Sequence, residues 1–462
     1  MTTVSDQAEA GGLRPTLRRR HLNLIALGGV IGAGLFVGSG VVISSTGPAA
    51  IVSFLIAGAI VVAVMRMLAE MAVAKPVVGS FYAYARDALG PRAGFLVGWM
   101  YWYFFVIVVA LEAVAGARIV GVWLPGVPLW TICLVLMTLL TGTNLVSARS
   151  YGEFEYWFSG IKVAAIVVFL LLGGLYLFGL WPGAHAGVAN LTAHGGFAPM
   201  GIGAILAAVV PCIGFYTGAE IVTIAAAESS EPADGVARAT RSIVLRVLAF
   251  YVLSVFVVVA VLPWNSADIQ VSPYAAVLGA LHIPAVEMIM NVVVLVAVLS
   301  CLNSALYTTS RMLFALTRNG DAPRALTKLG RTSVPSRAIL AGTVAGFISV
   351  IFEFFSPDRV FPFIVNSYGA VALFVYLLIA VSQVASRRRA ERDGTTLRLK
   401  MWLFPWLSYA TIAAMLAVIL AMAFLPDTRS QFFLSLLTVV ILLIAYQVRT
   451  ARHPTPTPPS PH

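Results

Sequence analysis

Apolar runs of roughly 20 residues recur along almost the entire chain, and nothing else limits its fold so strongly. About twelve are distinguishable, near 22–44, 48–68, 93–117, 127–147, 157–180, 200–226, 242–262, 284–312, 338–356, 361–385, 402–424 and 431–449. A backbone in lipid must satisfy its own hydrogen bonds, so such runs are helices or strands of a closed barrel. No period-two alternation runs through them, which selects helices. The expected fold is an all-α integral membrane protein with 12 transmembrane helices. Composition agrees: of 462 residues 60% are hydrophobic and 11% charged, where soluble domains carry roughly 25% charged residues.

The basic residues follow the spans. Arg14 and Arg18 to Arg20 precede the first; Lys75, Arg86 and Arg92 separate the second from the third; Arg149 precedes the fifth. Arg238 and Arg241 follow the sixth, Arg318, Arg324, Lys328, Arg331 and Arg337 the eighth, and Arg387 to Arg389, Arg392, Arg398 and Lys400 the tenth. With twelve spans these all fall on one side. The opposite loops 181–199 and 263–283 contain no Lys or Arg; Arg118, Arg359 and Arg429 are the exceptions. The net charge of +11 is therefore a topology signal and not a nucleic-acid footprint. It puts both termini in the cytoplasm; the membrane expected is the plasma (inner) membrane. The first apolar run is too long for a signal peptide and no cleavage site closes it, so it is read as a helix.

Glycine interrupts this pattern. Gly28, Gly29, Gly32, Gly34 and Gly38 crowd the first span, and the sixth reads Pro211-Cys-Ile-Gly214-Phe-Tyr-Thr-Gly218-Ala-Glu220. Small residues at helix contacts are one explanation. Helices broken at mid-membrane are the other, since glycine tolerates unusual dihedral angles and lets a solute approach bare backbone. Breaks five spans apart imply two inverted halves with the solute between them. The organisation expected is a cytoplasmic tail over 1–20, a first repeat over 21–180, a second over 198–386, two additional helices over 401–450, and a disordered tail over 451–462. A free helix N-terminus at the first break would receive a carboxylate, and unwound carbonyls with an opposing helix C-terminus would hold an ammonium.

Ionisable residues within spans are costly and few: Arg66, Glu112, Lys162 and Glu220. Arg66 and Glu70 stand four apart and read as a local ion pair. Lys162 either snorkels to the interface or gains and loses a proton during transport. Glu220 either caps backbone N–H groups freed by the second break or titrates. Glu112, in mid-span, has no cation near it in sequence and is a candidate proton carrier. Trp99 and Tyr101-Trp102-Tyr103 read as interfacial aromatics. Cys133, Cys212 and Cys301 lie in apolar segments, where an odd count argues for buried thiols rather than a disulfide framework. No metal spacing, cofactor motif or nucleophile–base constellation is visible, so neither an enzyme nor a cofactor is expected.

Several strings carry a family resemblance: Ile31-Gly-Ala-Gly-Leu-Phe36, Met65-Arg-Met-Leu-Ala-Glu-Met71, Gly79-Ser-Phe81, Gly98-Trp99, Tyr151-Gly-Glu-Phe-Glu155, Gly218-Ala-Glu-Ile-Val-Thr-Ile-Ala-Ala-Ala-Glu228, Cys301-Leu-Asn-Ser-Ala-Leu-Tyr307 and Arg318-Asn-Gly-Asp-Ala-Pro323. Over about 18–450 the chain resembles bacterial permeases of the amino acid–polyamine–organocation superfamily, and within it the γ-aminobutyrate (GABA) permeases. The resemblance implies a five-plus-five inverted repeat, alternating access and proton symport. It assigns the substrate carboxylate to Val30, Ile31, Gly32, Ala33 and Gly34, and the amino end to Gly214, Phe215, Tyr216, Thr217 and Gly218, with Ala305 beside them. Lys162 would match the span-five lysine thought to stand in for a sodium ion, and Glu220 the span-six glutamate. Many relatives have an aromatic gate where this chain has Gly214, which implies a shifted gate at Phe215 or Tyr216, or a reshaped pocket.

The function expected is proton-coupled uptake of a small zwitterionic amino acid, GABA first, with protons and membrane lipids as the other partners and nucleic acid as none. Proline, another neutral or a cationic amino acid is the alternative substrate, and exchange the alternative mode. A carrier-like nutrient sensor is the rival of another class; it would call for a soluble signalling domain, and none interrupts the spans.

Overall fold

The computed structural model describes residues 31–75, 77, 80–146, 151–182, 187–218, 220, 249–283, 285–327 and 336–452. Val30, the tails 1–20 and 453–462, residues 221–226 of span six, its Glu228–Pro232 end and the start of span seven lie outside them. All regular structure among the described residues is helical. A π turn, Gly34–Gly38, leads into α1 (Ser39–Thr46). Then follow α2 (Ala50–Ala74), α3 (Ser80–Leu89), α4 (Pro91–Trp123), α5 (Leu129–Val146), α6 (Tyr151–Leu177), the short α7 (Asn190–Ala193) and α8 (Gly201–Tyr216). Next come α9 (Ala249–Val261), α10 (Ala267–Val271), α11 (Pro273–Ala280), α12 (Val286–Arg318), α13 (Ser336–Phe355), α14 (Pro357–Arg392), α15 (Trp406–Phe424) and α16 (Pro426–Arg452).

Among the described residues eight helical stretches are long and apolar enough to cross a membrane, with Gly34–Ala74 taken as one, and Leu129–Leu145, Gly201–Tyr216 and Ala249–Val261 are shorter apolar helices. Proline sets several starts: Pro91, Pro357 and Pro426 each open a helix, where the missing N–H would have had no partner anyway. The extra helices α3, α10 and α11 are connections that sequence periodicity did not single out.

Burial separates centre from rim. The most apolar window of α4 is 72% buried, that of α16 only 11%. Accordingly α4 packs against α3, α5, α12, α13, α14 and α16, whereas α8 lies against α2 and α14. Buried rings and small residues fill the interior, among them Phe36, Phe54, Tyr101, Phe104 and Tyr251.

Polar ties hold the basic face of the bundle. Asn319 and Gly320 end α12 in a Schellman turn: the Gly320 N–H bonds the Thr317 carbonyl and the Asp321 N–H the Leu316 carbonyl, with Gly320 at φ +72°, a conformation that favours glycine. The turn presents the Asp321 carboxylate to Tyr82 and Arg86 of α3, at 2.5 and 2.8 Å, and to Arg449 of α16, at 2.5 Å. Burial, and then the neighbouring Asp321 carboxylate, push the Tyr82 hydroxyl well above its ordinary range, which keeps it a donor. The expected Arg66–Glu70 pair is not formed. Glu70 takes Gln383 at 2.8 Å, Arg387 at 3.4 Å and the Met401 N–H. Arg66 donates to the Lys400 carbonyl and stacks over Trp402. Side chains four apart on a helix share a face, but here neighbouring elements offer each a better partner.

Candidate functional site

Ile31 and Gly32 are non-helical, and the helical path starts at Ala33 and the Gly34–Gly38 turn. The Ala33 N–H therefore belongs to a helix start, where backbone donors lack intrahelical acceptors. A carboxylate fills this place: Glu112, from the middle of α4, accepts from Ala33 N at 3.2 Å through Oε1 and 3.1 Å through Oε2. Gly32 makes the approach possible. A Cβ there would lie 2.5 Å from Glu112 Oε1 and 2.6 Å from Cys301 Sγ. The Cys301 thiol donates to the Ile31 carbonyl at 3.2 Å and receives Lys162 Nζ at 3.6 Å. Lys162 is fully buried on α6, which excludes snorkelling. Two elements far apart in sequence thus bring Glu112 and Lys162 to one helix start.

Where the second break is expected, α8 ends. Thr217 is extended, with φ −68° and ψ 141°, and Gly218 has φ +117°, which a side chain would resist. Glu220 closes the turn by accepting the Gly218 N–H at 3.0 Å, so the capping role is present. It also accepts from the hydroxyls of Tyr101 at 3.0 Å and Tyr376 at 3.1 Å. Tyr101 is thus no interfacial aromatic: it is 1% exposed and serves Glu220. The last carbonyls of α8 are engaged by the chain itself. Thr217 Oγ1 donates to Ile213 O at 3.1 Å, Thr217 N to Gly214 O at 2.9 Å, and the Tyr251 hydroxyl to Phe215 O at 2.9 Å.

Between these two helix ends lies a small recess. Gly32, Gly34, Glu112, Gly214, Phe215 and Thr217 line it, together with Phe104, Cys301, Ser304 and Tyr368. Glycines hold its aromatic wall. A Cβ on Gly34 or Gly38 would stand 2.5 or 2.6 Å from the Phe215 ring, and one on Gly214 would stand 2.7 Å from that of Tyr368. The space beside Gly214 is therefore filled from α14. Of the two expected gate residues only Phe215 lines the recess. Tyr216 turns away, bonding the Phe54 carbonyl at 3.2 Å and packing on Tyr251.

The remaining expected positions divide. Ile31 and Ala33 flank the helix start, Gly218 shapes the second break, and Val30 lies outside the described residues. Ala305 is fully buried but is not part of the lining; Ser304 beside it and Cys301, one turn earlier on α12, take that place. Phe104 and Tyr368 were not read from sequence. Both sit in apolar runs, where an aromatic that lines a site looks like one that fills a core.

A set of apolar helices crossing and recrossing one interior, with a polar-ended recess inside it, defines a multi-pass membrane protein. The amino acid permease family model matches residues 21–457, and the chain belongs to that family. It is 52% identical to the γ-aminobutyric acid permease of Bacillus subtilis, over 95% of this chain and 94% of the relative. It is 47% identical to that of Escherichia coli, over 93% and 92%. Identity to the aromatic amino acid transport protein AroP of Corynebacterium glutamicum is 39%, over 91% and 92%.

Proposed function

We propose that this chain takes up GABA, or a closely similar small zwitterion, together with protons, by alternating access in the inner membrane. Twelve spans, two inverted five-helix repeats over 21–180 and 198–386, two added helices over 401–450 and cytoplasmic termini complete the reading. Relatives that carry the name of GABA permease over nearly their whole length support the substrate. The observation that carries the site is the carboxylate of Glu112 on the Ala33 N–H: an amide that holds one carboxylate can hold another.

Competition for that amide supplies a coupling mechanism. When the substrate carboxylate takes the Ala33 N–H, Glu112 must leave it. A proton on Glu112 lets it do so without stranding a bare charge in apolar surroundings. Lys162, behind Cys301, is the cation that either balances Glu112 or passes it the proton. Glu220 keeps the second break in shape and is the third candidate for the coupled proton. No cofactor enters; the gradient is the energy source. Transport by exchange is the alternative, which counterflow without a gradient would reveal.

The test is uptake of radiolabelled GABA into vesicles containing the purified protein, with the interior alkaline. Accumulation that collapses with a protonophore and is competed by GABA before proline, lysine or tryptophan is expected. Uptake indifferent to the pH gradient would overturn the coupling. Better competition by proline or lysine would overturn the substrate.

A further inference from the structure

We propose that Tyr368 recognises the ammonium end of the bound amino acid, its hydroxyl accepting an N–H from the ammonium and its ring face taking up part of the charge. This rests on the reading of the recess as an amino acid site.

Four observations converge on it. First, of the residues expected at the amine end, Gly214 and Phe215 already accept a hydrogen bond at their carbonyls, from Thr217 N and the Tyr251 hydroxyl. Second, four buried tyrosines have committed their hydroxyls, Tyr101 and Tyr376 to Glu220, Tyr216 to Phe54 and Tyr251 to Phe215, whereas that of Tyr274, which is not part of the lining, has none. Among the described residues the Tyr368 hydroxyl has no partner, yet Tyr368 is 3% exposed and lines the recess. A phenol in such surroundings ordinarily finds one. Third, the ring is seated on purpose-made space, since a Cβ on Gly214 would lie within 2.7–2.9 Å of Tyr368 ring atoms. Fourth, the rings of Phe104 and Phe215 lie 5.6 and 5.8 Å from it, which gives the same wall the faces that attract an ammonium. Glu112, which accepts the Ala33 N–H, lines the same recess. Carboxylate and ammonium are on this reading met by different elements, the helix start at Ala33 with α4 for one and α14 for the other.

Tyr368→Phe removes the hydroxyl and keeps the ring. Competition against labelled GABA, carried to saturation, is measured for GABA and for butyrate, which lacks the amine. The variant is expected to lose roughly tenfold or more in GABA affinity, with butyrate binding and melting temperature unchanged. Unchanged GABA affinity would remove Tyr368 from recognition. An equal loss for both compounds would place its role at the carboxylate or in packing, and would equally overturn the proposal. Gly214→Ala, which unseats the ring, is expected to weaken GABA too; an unchanged affinity there would contradict the seat. If the wild type prefers another amino acid, the proposed substrate fails by itself, and the same comparison with that compound and its deaminated analogue still decides the role of Tyr368.

Discussion

A glycine read from sequence says that a side chain is missing, but not what fills the space. The crowd in the first span pointed to exposed backbone. At Gly32 the chain's own Glu112 and Cys301 close on the backbone. Gly34 and Gly38 serve a different purpose, as a flat seat for Phe215, which places the packing explanation and the broken-helix explanation side by side in one segment. Gly34→Val should therefore drive the Phe215 ring into the recess, because the new Cβ would begin 2.5 Å from its Cδ1. Overpacking of this kind costs about 1–3 kcal/mol, so a rise of roughly tenfold or more in the half-saturating GABA concentration is expected. Binding to the purified variant checks it; wild-type affinity would show that the ring is no wall of the site. Glu112 illustrates the limit of a linear reading. Its cost in an apolar run was evident, its partner 79 residues away was not.

Elements were legible where they are long and apolar, because a run that must cross lipid has one way to satisfy its backbone. What joins them was not. The string Arg318-Asn-Gly-Asp-Ala-Pro323 carried family resemblance without a role, and the role lies in three dimensions. Gly320 turns the chain, and Asp321 collects donors from α3 and α16. A negative charge at a helix C-terminus is unfavourable by itself; here two arginines compensate it. The last helix is thus tied to the centre at this end, although most of its length is at the rim. Asp321→Asn keeps the shape but removes the charge that Arg86 and Arg449 share. Each charge-assisted hydrogen bond is worth about 1.5–3 kcal/mol, partly screened because both arginines are about one-third exposed. The expected outcome is a lower melting temperature in detergent, and combining Arg449→Gln with Asp321→Asn should add little further loss. Full additivity would mean that Arg449 stabilises the bundle by some other contact.

At the scale of the molecule, Cys301 joins the helix start at Ile31 to the charge on α6. Lys162 sits on α6, whose most apolar window is only 22% buried, yet the side chain itself is wholly enclosed. A structural lysine on such a helix would turn toward the interface; this one turns inward, to the thiol that also bonds Ile31. On the proposed mechanism, Lys162→Ala takes away the cation that balances Glu112, so Glu112 keeps its proton throughout the cycle and carries none across. The variant should bind GABA and exchange labelled for unlabelled GABA across the vesicle membrane, but should no longer accumulate it against a gradient. Counterflow serves as the control for folding, because a collapsed protein would lose both. Concentrative uptake at the wild-type level, with the same dependence on external pH, would take Lys162 out of the coupling path and leave Glu112 or Glu220 to carry the proton alone.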